Sequence, residues 1–209
     1  MTSLERAPLV AIEGIDGTGK TTLQHALARQ WRAHGMRVLE LQEPSRGPTG
    51  RRARRTSGRD PWTAAMAFTE DRRRQRSRIE RALRRGTVVL LDRSFYSTLA
   101  YQGSALPPRR RRELERMQHE AAIVPDRVVL LTLPLNLSQA RMRHRGGVQD
   151  PTEQHEVLRR ASRTYRQLAR NPGWVVLDAR RTPQQLLAQL GRRLTPWVLR
   201  QSVRARARA

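Results

Sequence analysis

The chain contains no cysteine, which excludes a disulfide framework and any thiolate metal site and leaves nothing pointing to an oxidising compartment. Long apolar runs are missing too. The run at residues 9–12 leads straight into a glycine-rich loop and is too short for the core of a signal peptide. No segment approaches the roughly 20 apolar residues of a membrane span, so the expected location is the cytoplasm. Lysine is nearly absent: of 42 basic residues, all but Lys20 are arginine. With only 18 acidic residues the formal net charge is +24, a balance that attracts phosphate backbones through counterion release. The arginines are nevertheless spread over residues 51–55, 72–78, 109–112, 141–145 and the tail. A compositional bias toward arginine accounts for most of them, and an anionic small substrate and weak nucleic-acid binding both stay open.

The one lysine sits where arginine would serve worst. Gly14, Ile15, Asp16, Gly17, Thr18, Gly19, Lys20 and Thr21 satisfy the pattern G-x-x-x-x-G-K-[ST] without a mismatch, and Thr22 follows. The backbone N–H groups of such a loop cradle the phosphates of a nucleoside triphosphate. A compact ammonium reaches between the β- and γ-phosphates, whereas a guanidinium is bulkier and locked into a fork. The Thr21 hydroxyl is the expected Mg²⁺ ligand, joined by Asp92 at the carboxyl end of an apolar strand. Asp92 also fits a plain turn or helix-capping residue. A loop of this kind needs a strand before it and a helix after it, and the sequence predicts both, at residues 8–13 and 20–34.

At 209 residues the chain suits one domain, expected over residues 1–201. Further strands are predicted at 37–41, 87–91, 127–133 and 174–177. Helices are predicted at 61–85, 109–122, around 137–143, at 153–170, and from Thr182 onward, where a capping residue precedes a proline at the first helical position. Residues 43–59 read as loop with one short helical piece, 146–152 as a polar segment, and 202–209 as a disordered arginine-rich tail. Continuous apolar strands suit a sheet covered on both faces. Their alternation with helices predicts an α/β fold, a doubly wound parallel sheet of about five strands with its ligand site at the carboxyl edge.

These features specify phosphoryl transfer and leave the acceptor unnamed. Two stretches bear on it: Phe68-Thr69-Glu70-Asp71-Arg72, and the run from Asp92 to Gly103, which reads D-R-x-x-x-S-x-x-A-Y-Q-G. Together with Glu43-Pro44, Gly50 and Arg54 at their spacing, they resemble the thymidylate kinases, over nearly the whole chain from the phosphate loop to the helix after Gly146. The resemblance implies a P-loop kinase fold with helices on both sheet faces and a mobile lid at about residues 141–154. It implies transfer of the γ-phosphoryl group of ATP to dTMP with Mg²⁺, giving dTDP and ADP, and a homodimer with no specific nucleic-acid or membrane partner.

It also implies residue roles. Phe68 would stack on thymine, Arg72 one helical turn along would reach O4, and Thr98 would approach N3. Tyr101 would close the space beside the sugar C2′, Arg93 and Arg54 would hold the monophosphate, and Glu43 and Gln102 complete the acceptor site. Asp16 would take the 3′-hydroxyl or support the attacking phosphate. With no arginine at Gly17 or Thr18, the transition-state charge would come from Arg143 and Arg145 in the lid, acting with Lys20, Asp16 and Arg93, while Arg141 lies over adenine. Without the resemblance, Phe68 fits a core aromatic, Tyr101 and Gln102 fit packing residues, and the lid arginines fit a solvated helix face. The chain departs from the family pattern at Ser45-Arg46, where two glycines are usual, at Arg51 in place of glutamate, and at Thr69-Glu70 in place of small residues. Two other activities remain to be weighed: the same chemistry on another deoxynucleoside monophosphate or a nucleoside, and a P-loop ATPase whose arginine surface binds nucleic acid. The second has no need of Phe68 and Arg72 spaced for one base.

Overall fold

Runs such as Val88-Val89-Leu90-Leu91 have no polar alternate, and they form strands covered from both sides. The computed structural model describes residues 6–144 and 155–207. Its strands are β1 (Leu9–Glu13), β2 (Val38–Gln42), β3 (Val88–Asp92), β4 (Arg127–Thr132) and β5 (Trp174–Asp178), ordered β2-β3-β1-β4-β5 and parallel throughout. Every residue of β1 and β3 is buried, as continuous hydrophobicity requires in a central parallel strand.

Alternate side chains of these strands enter different cores. Val10, Ile12, Leu90 and Val129 pack against Leu23, Leu27 and Trp31 of α1 (Lys20–Ala33), Leu186 and Leu190 of α8 (Pro183–Arg193) and Val198 of α9 (Thr195–Arg206). On the other face, Leu9, Ala11, Val89 and Leu91 meet Ile79 and Leu83 of α3 (Pro61–Arg84). Val128 and Leu130 meet Leu158, Ala161 and Tyr165 of α7 (His155–Leu168), with Tyr101 of α4 (Phe95–Tyr101). Three further α-helices, α2 (Pro48–Thr56), α5 (Pro108–Ala121) and α6 (Leu135–His144), and a 3₁₀ turn at Gly103–Ala105 complete the described chain. The connection leaving β1 runs over one face toward β2, while the one leaving β3 runs over the other toward β4. Adjacent strands whose connections part in this way open a crevice at their carboxyl ends, and the phosphate loop and the Asp92–Gly103 run both start there.

Two expectations about the carboxyl terminus are corrected. Residues 202–206 continue α9 rather than forming a disordered tail, so the ordered unit passes the expected boundary at 201. The alternating Arg/Ala composition hides a helical spacing: Ser202 and Ala205 lie three apart and are buried, and the Ser202 hydroxyl donates to Met36 Sδ at 3.8 Å. The helix starting after Thr182 ends at Arg193, and α9 restarts at Thr195, whose Oγ1 accepts from Trp31 Nε1 at 3.0 Å. Among the described residues no helix is long and apolar enough to cross a membrane.

Candidate active site

Of the three glycines of the phosphate loop, two answer to close backbone approach and Gly19 only to its φ of 88°. Gly14 has φ 143° and a Cβ there would lie 2.5 Å from Leu131 O; at Gly17, φ 78°, it would lie 2.7 Å from Ser138 O. The loop is held from α6, where Ser138 Oγ donates to Asp16 O at 2.6 Å and Arg141 donates to Gly17 O at 3.4 Å and Ala179 O at 3.0 Å. Lys20 Nζ is folded back onto Ile15 O at 2.9 Å and lies 3.8 Å from Asp16 Oδ1. Burial is the largest influence on this ammonium and pushes it down to about 8; Arg93 adds to the fall, and Asp16, Asp92 and Glu13 oppose it. Thr21 Oγ1 donates to Asp92 Oδ2. Asp92 Oδ1 is buried with no hydrogen-bond partner among the described residues, an orphaned hard oxygen beside a hydroxyl.

Next to this loop lies a cavity of about 250 Å³. Its walls include Asp16, Glu43, Arg54, Phe68, Arg72, Arg93, Thr98, Tyr101 and Gln102, so the fold brings every expected acceptor-site residue to one place. Phe68 is half-buried and faces this space. Arg72 is buried, donating through Nε and Nη2 to Glu43 Oε2 at 2.9 and 2.6 Å, through Nη2 to Thr98 Oγ1 at 3.2 Å, and through Nη1 to Gln118 Oε1. Burial raises the Glu43 carboxyl although Arg72 pulls it the other way. Arg54 donates to Pro44 O at 3.0 Å and Ser45 O at 2.9 Å, and it forms no ion pair with a carboxylate among the described residues. The neighbouring arginines of α3 are surface residues by contrast: Arg74 pairs with Glu70 and Arg76 with Glu80 one turn away.

Arg93 adopts φ 68°, a left-handed conformation that costs a side-chain-bearing residue and that tends to mark sites where direction matters. Its Nη2 pairs with Asp16 Oδ1 and its guanidinium lies 5.3 Å from the Tyr101 ring centre. The Tyr101 hydroxyl accepts from Asp16 N–H at 3.1 Å and donates to Asp16 Oδ2 at 2.9 Å. Burial alone would raise the Asp16 carboxyl, but Arg93, Lys20 and the Tyr101 hydrogen bond outweigh it and hold it below its ordinary value. Burial would likewise lower Arg93, yet the Asp16 carboxylate wins and raises it. Burial, with that same carboxylate, pushes the Tyr101 phenol far up. Asp16 is thus a fixed anion between two cations.

Sequence reasoning passed over several residues that build this site. Glu13, fully buried at the end of β1, accepts from Ser94 N–H and Oγ at 2.7 Å each, from Ser97 Oγ at 2.8 Å and from the Tyr165 hydroxyl at 2.8 Å. Ser97 Oγ also accepts from Arg93 Nη1 at 3.2 Å, so Glu13 underpins the turn that aims Arg93. Asp71 and Gln118 are the others. A lone carboxylate closing an apolar strand, and a lone amide in the buried stripe Leu114, Gln118, Ala121, were the available signals. Thr22 is exposed on the first turn of α1, and Arg143 is exposed on the last turn of α6. Arg145 and most of the expected lid lie outside the described residues.

The family profile described as thymidylate kinase matches residues 12–190. The chain belongs to the thymidylate kinase family. It is 34% identical over 186 residues to a probable thymidylate kinase of Pyrobaculum aerophilum, covering 87% of this chain and 93% of that protein. It is 36% identical over 187 residues to the thymidylate kinase of Xanthomonas campestris pv. campestris, and 38% identical over 186 residues to that of Xanthomonas oryzae pv. oryzae. Each covers 87% of this chain and 80% of the relative. Within the family pattern, Ser45 departs from glycine and here binds Asp71, while Arg51 is exposed and donates to Arg46 O at 3.0 Å.

Proposed function

We propose that the chain transfers the γ-phosphoryl group of ATP to dTMP, giving dTDP and ADP. The observation that carries this reading is a walled cavity beside the phosphate loop in which Phe68, Arg72, Thr98 and Tyr101 offer contacts for one base and its sugar, and Arg54 and Arg93 offer contacts for one phosphate. A polynucleotide-driven ATPase has no use for such a cavity. Lys20 would leave Ile15 O to reach the β- and γ-phosphates, and Arg93 would orient the acceptor phosphate, whose own oxygen is the nucleophile and needs no base to deprotonate it at neutral pH. Asp16 would hold Arg93 and Lys20 on either side of the reacting phosphates. Thr21 and the free Oδ1 of Asp92 suit Mg²⁺; no cluster of three His, Cys, Asp or Glu occurs among the described residues, so phosphate oxygens and water would supply the other ligands. When bound, the ion would neutralise charge on the β- and γ-phosphates.

Gly17 leaves no arginine in the loop, and the lid residues Arg143 and Arg145 are proposed to meet the developing charge. Incubating a panel of nucleoside monophosphates with MgATP and scoring diphosphate products tests the substrate. Preferential product from dTMP supports the reading; equal use of all acceptors, or ATP hydrolysis without one, overturns it. For the lid, kcat should fall by two orders of magnitude or more in Arg143→Ala or Arg145→Ala with ATP affinity nearly unchanged, and normal kcat in both and in the double variant removes that assignment. Homodimer formation in the cytoplasm rests on the family resemblance, and sedimentation of the purified chain tests the dimer.

A further inference from the structure

Glu43 and Thr98 hold one side of the Arg72 guanidinium, and two residues outside the cavity wall, Thr69 and Gln118, fix the other. The Thr69 hydroxyl has one hydrogen, and it is committed to Ala65 O at 2.7 Å, one turn back along α3. Thr69 Oγ1 therefore meets its other neighbour as an acceptor only, and that neighbour is Gln118 Nε2 at 2.7 Å. With its NH₂ end so fixed, the Gln118 amide turns its carbonyl toward Arg72 and accepts from Nη1. The reverse amide orientation would set N–H against N–H at Arg72 and a carbonyl against an oxygen whose hydrogen is already used. Direction thus runs from a main-chain carbonyl through Thr69 and Gln118 to the guanidinium. All of these side chains are buried, Gln118 completely, so water cannot substitute for a lost partner.

Donor counting shows what this leaves. Of the five N–H bonds of a guanidinium, Arg72 uses one on Nε and one on Nη2 for Glu43, a second on Nη2 for Thr98, and one on Nη1 for Gln118. One N–H on Nη1 remains, on a side chain that lines the cavity. A base with a carbonyl at position 4 accepts from it; a base with a 4-amino group opposes donor to donor. Thr98, whose oxygen both donates and accepts, makes no such distinction.

We propose that Thr69 and Gln118 are positioning residues that orient Arg72 and thereby set the preference for a 4-carbonyl pyrimidine over a 4-amino one. The inference rests on the reading of this cavity as the acceptor site. It is tested with Thr69→Val, Thr69→Ser, Gln118→Met and Arg72→Ala, measuring kcat and KM for dTMP and dUMP, and dCMP as substrate or competitive inhibitor. Thr69→Val and Gln118→Met are expected to lower the dTMP:dCMP preference by about tenfold, through a raised KM for dTMP with kcat within about twofold. Thr69→Ser should keep the parent preference. The dTMP:dUMP ratio should stay put, since both bases carry the 4-carbonyl, and general loosening of the cavity would move both ratios together. The proposal is overturned if the dTMP:dCMP preference survives in Thr69→Val and Gln118→Met, or falls no further than dTMP:dUMP, while Arg72→Ala raises KM for dTMP. If Arg72→Ala leaves KM for dTMP unchanged, the base-site reading itself fails. Should Gln118→Met not fold, the near-isosteric Thr69 pair decides.

Discussion

Burial robs Lys20 of basicity just where its charge is wanted: its ammonium, ordinarily near 10.5, loses its proton at about 8 in the folded chain. Between those values the unfolded chain binds more protons, so this group's contribution to stability rises with pH across that window. Phosphate binding through this ammonium, as proposed above, would weaken over the same range. Nucleotide phosphates would draw the proton back, so we expect ATP binding at pH 8 to take up about half a proton and binding at pH 6.5 to take up little. Calorimetry in two buffers of different ionisation enthalpy reads this directly, and no uptake at pH 8 would contradict it. Lys20→Arg keeps a charge at all these pH values but loses the compact head that folds onto Ile15 O. We expect a folded protein whose kcat is lower by on the order of a hundredfold or more; parent-like kinetics would show that the shape of the cation is immaterial.

The connection from β2 to α2 is tied to α3 by one buried carboxylate. Asp71 accepts from Ser45 N–H at 2.7 Å, Ser45 Oγ at 2.6 Å and Thr49 Oγ1 at 2.7 Å, and Gly50 has no room for a side chain because its Cβ would lie 1.9 Å from Ser45 O. The carbonyls that anchor Arg54 thus move with the helix that carries Phe68 and Arg72. Asp71→Ala is expected to raise KM for dTMP about tenfold and to cost roughly 1–3 kcal/mol of stability, with ATP affinity unchanged; an equal loss of ATP affinity would make Asp71 a general support. Elements of this kind were unevenly legible. Strands β1, β3, β4 and β5 were readable because each holds at least three apolar residues in a row, while β2, broken by Glu40, was placed by Gly35 before it; Phe68, Arg72 and the loop were readable because their spacing is local. Helix α4 escaped notice because it is only 7 residues long, too short to display a period. Glu13 and Gln118 were hidden because their partners are far along the chain, Tyr165 and Ser94 for one and Arg72 for the other. Local periodicity can place such a side chain inside, but it cannot say whom it meets.

At the scale of the molecule the excess of arginine sets a field rather than a site. A groove along the β2 edge lined by Arg32, Arg37, Arg78, Arg81 and Arg85 shows how far the positive surface extends from the cavity. A net charge of +24 should steer anionic nucleotides inward and be screened by salt. We expect kcat/KM for dTMP to fall between about 50 and 200 mM salt with kcat nearly constant, and single-stranded DNA to bind without sequence preference and come off over the same range. DNA that accelerated ATP hydrolysis would revive the nucleic-acid ATPase. The same composition makes Lys20, 7% exposed, the sole address in this chain for a lysine-specific protease, and that address is the joint between β1 and α1. Intact molecules should resist the enzyme, and each pair of fragments cut at residue 20 records one opening of the phosphate loop. A gel therefore counts openings of the nucleotide site, and ATP should slow the cut in proportion to occupancy, without any label being added to the protein.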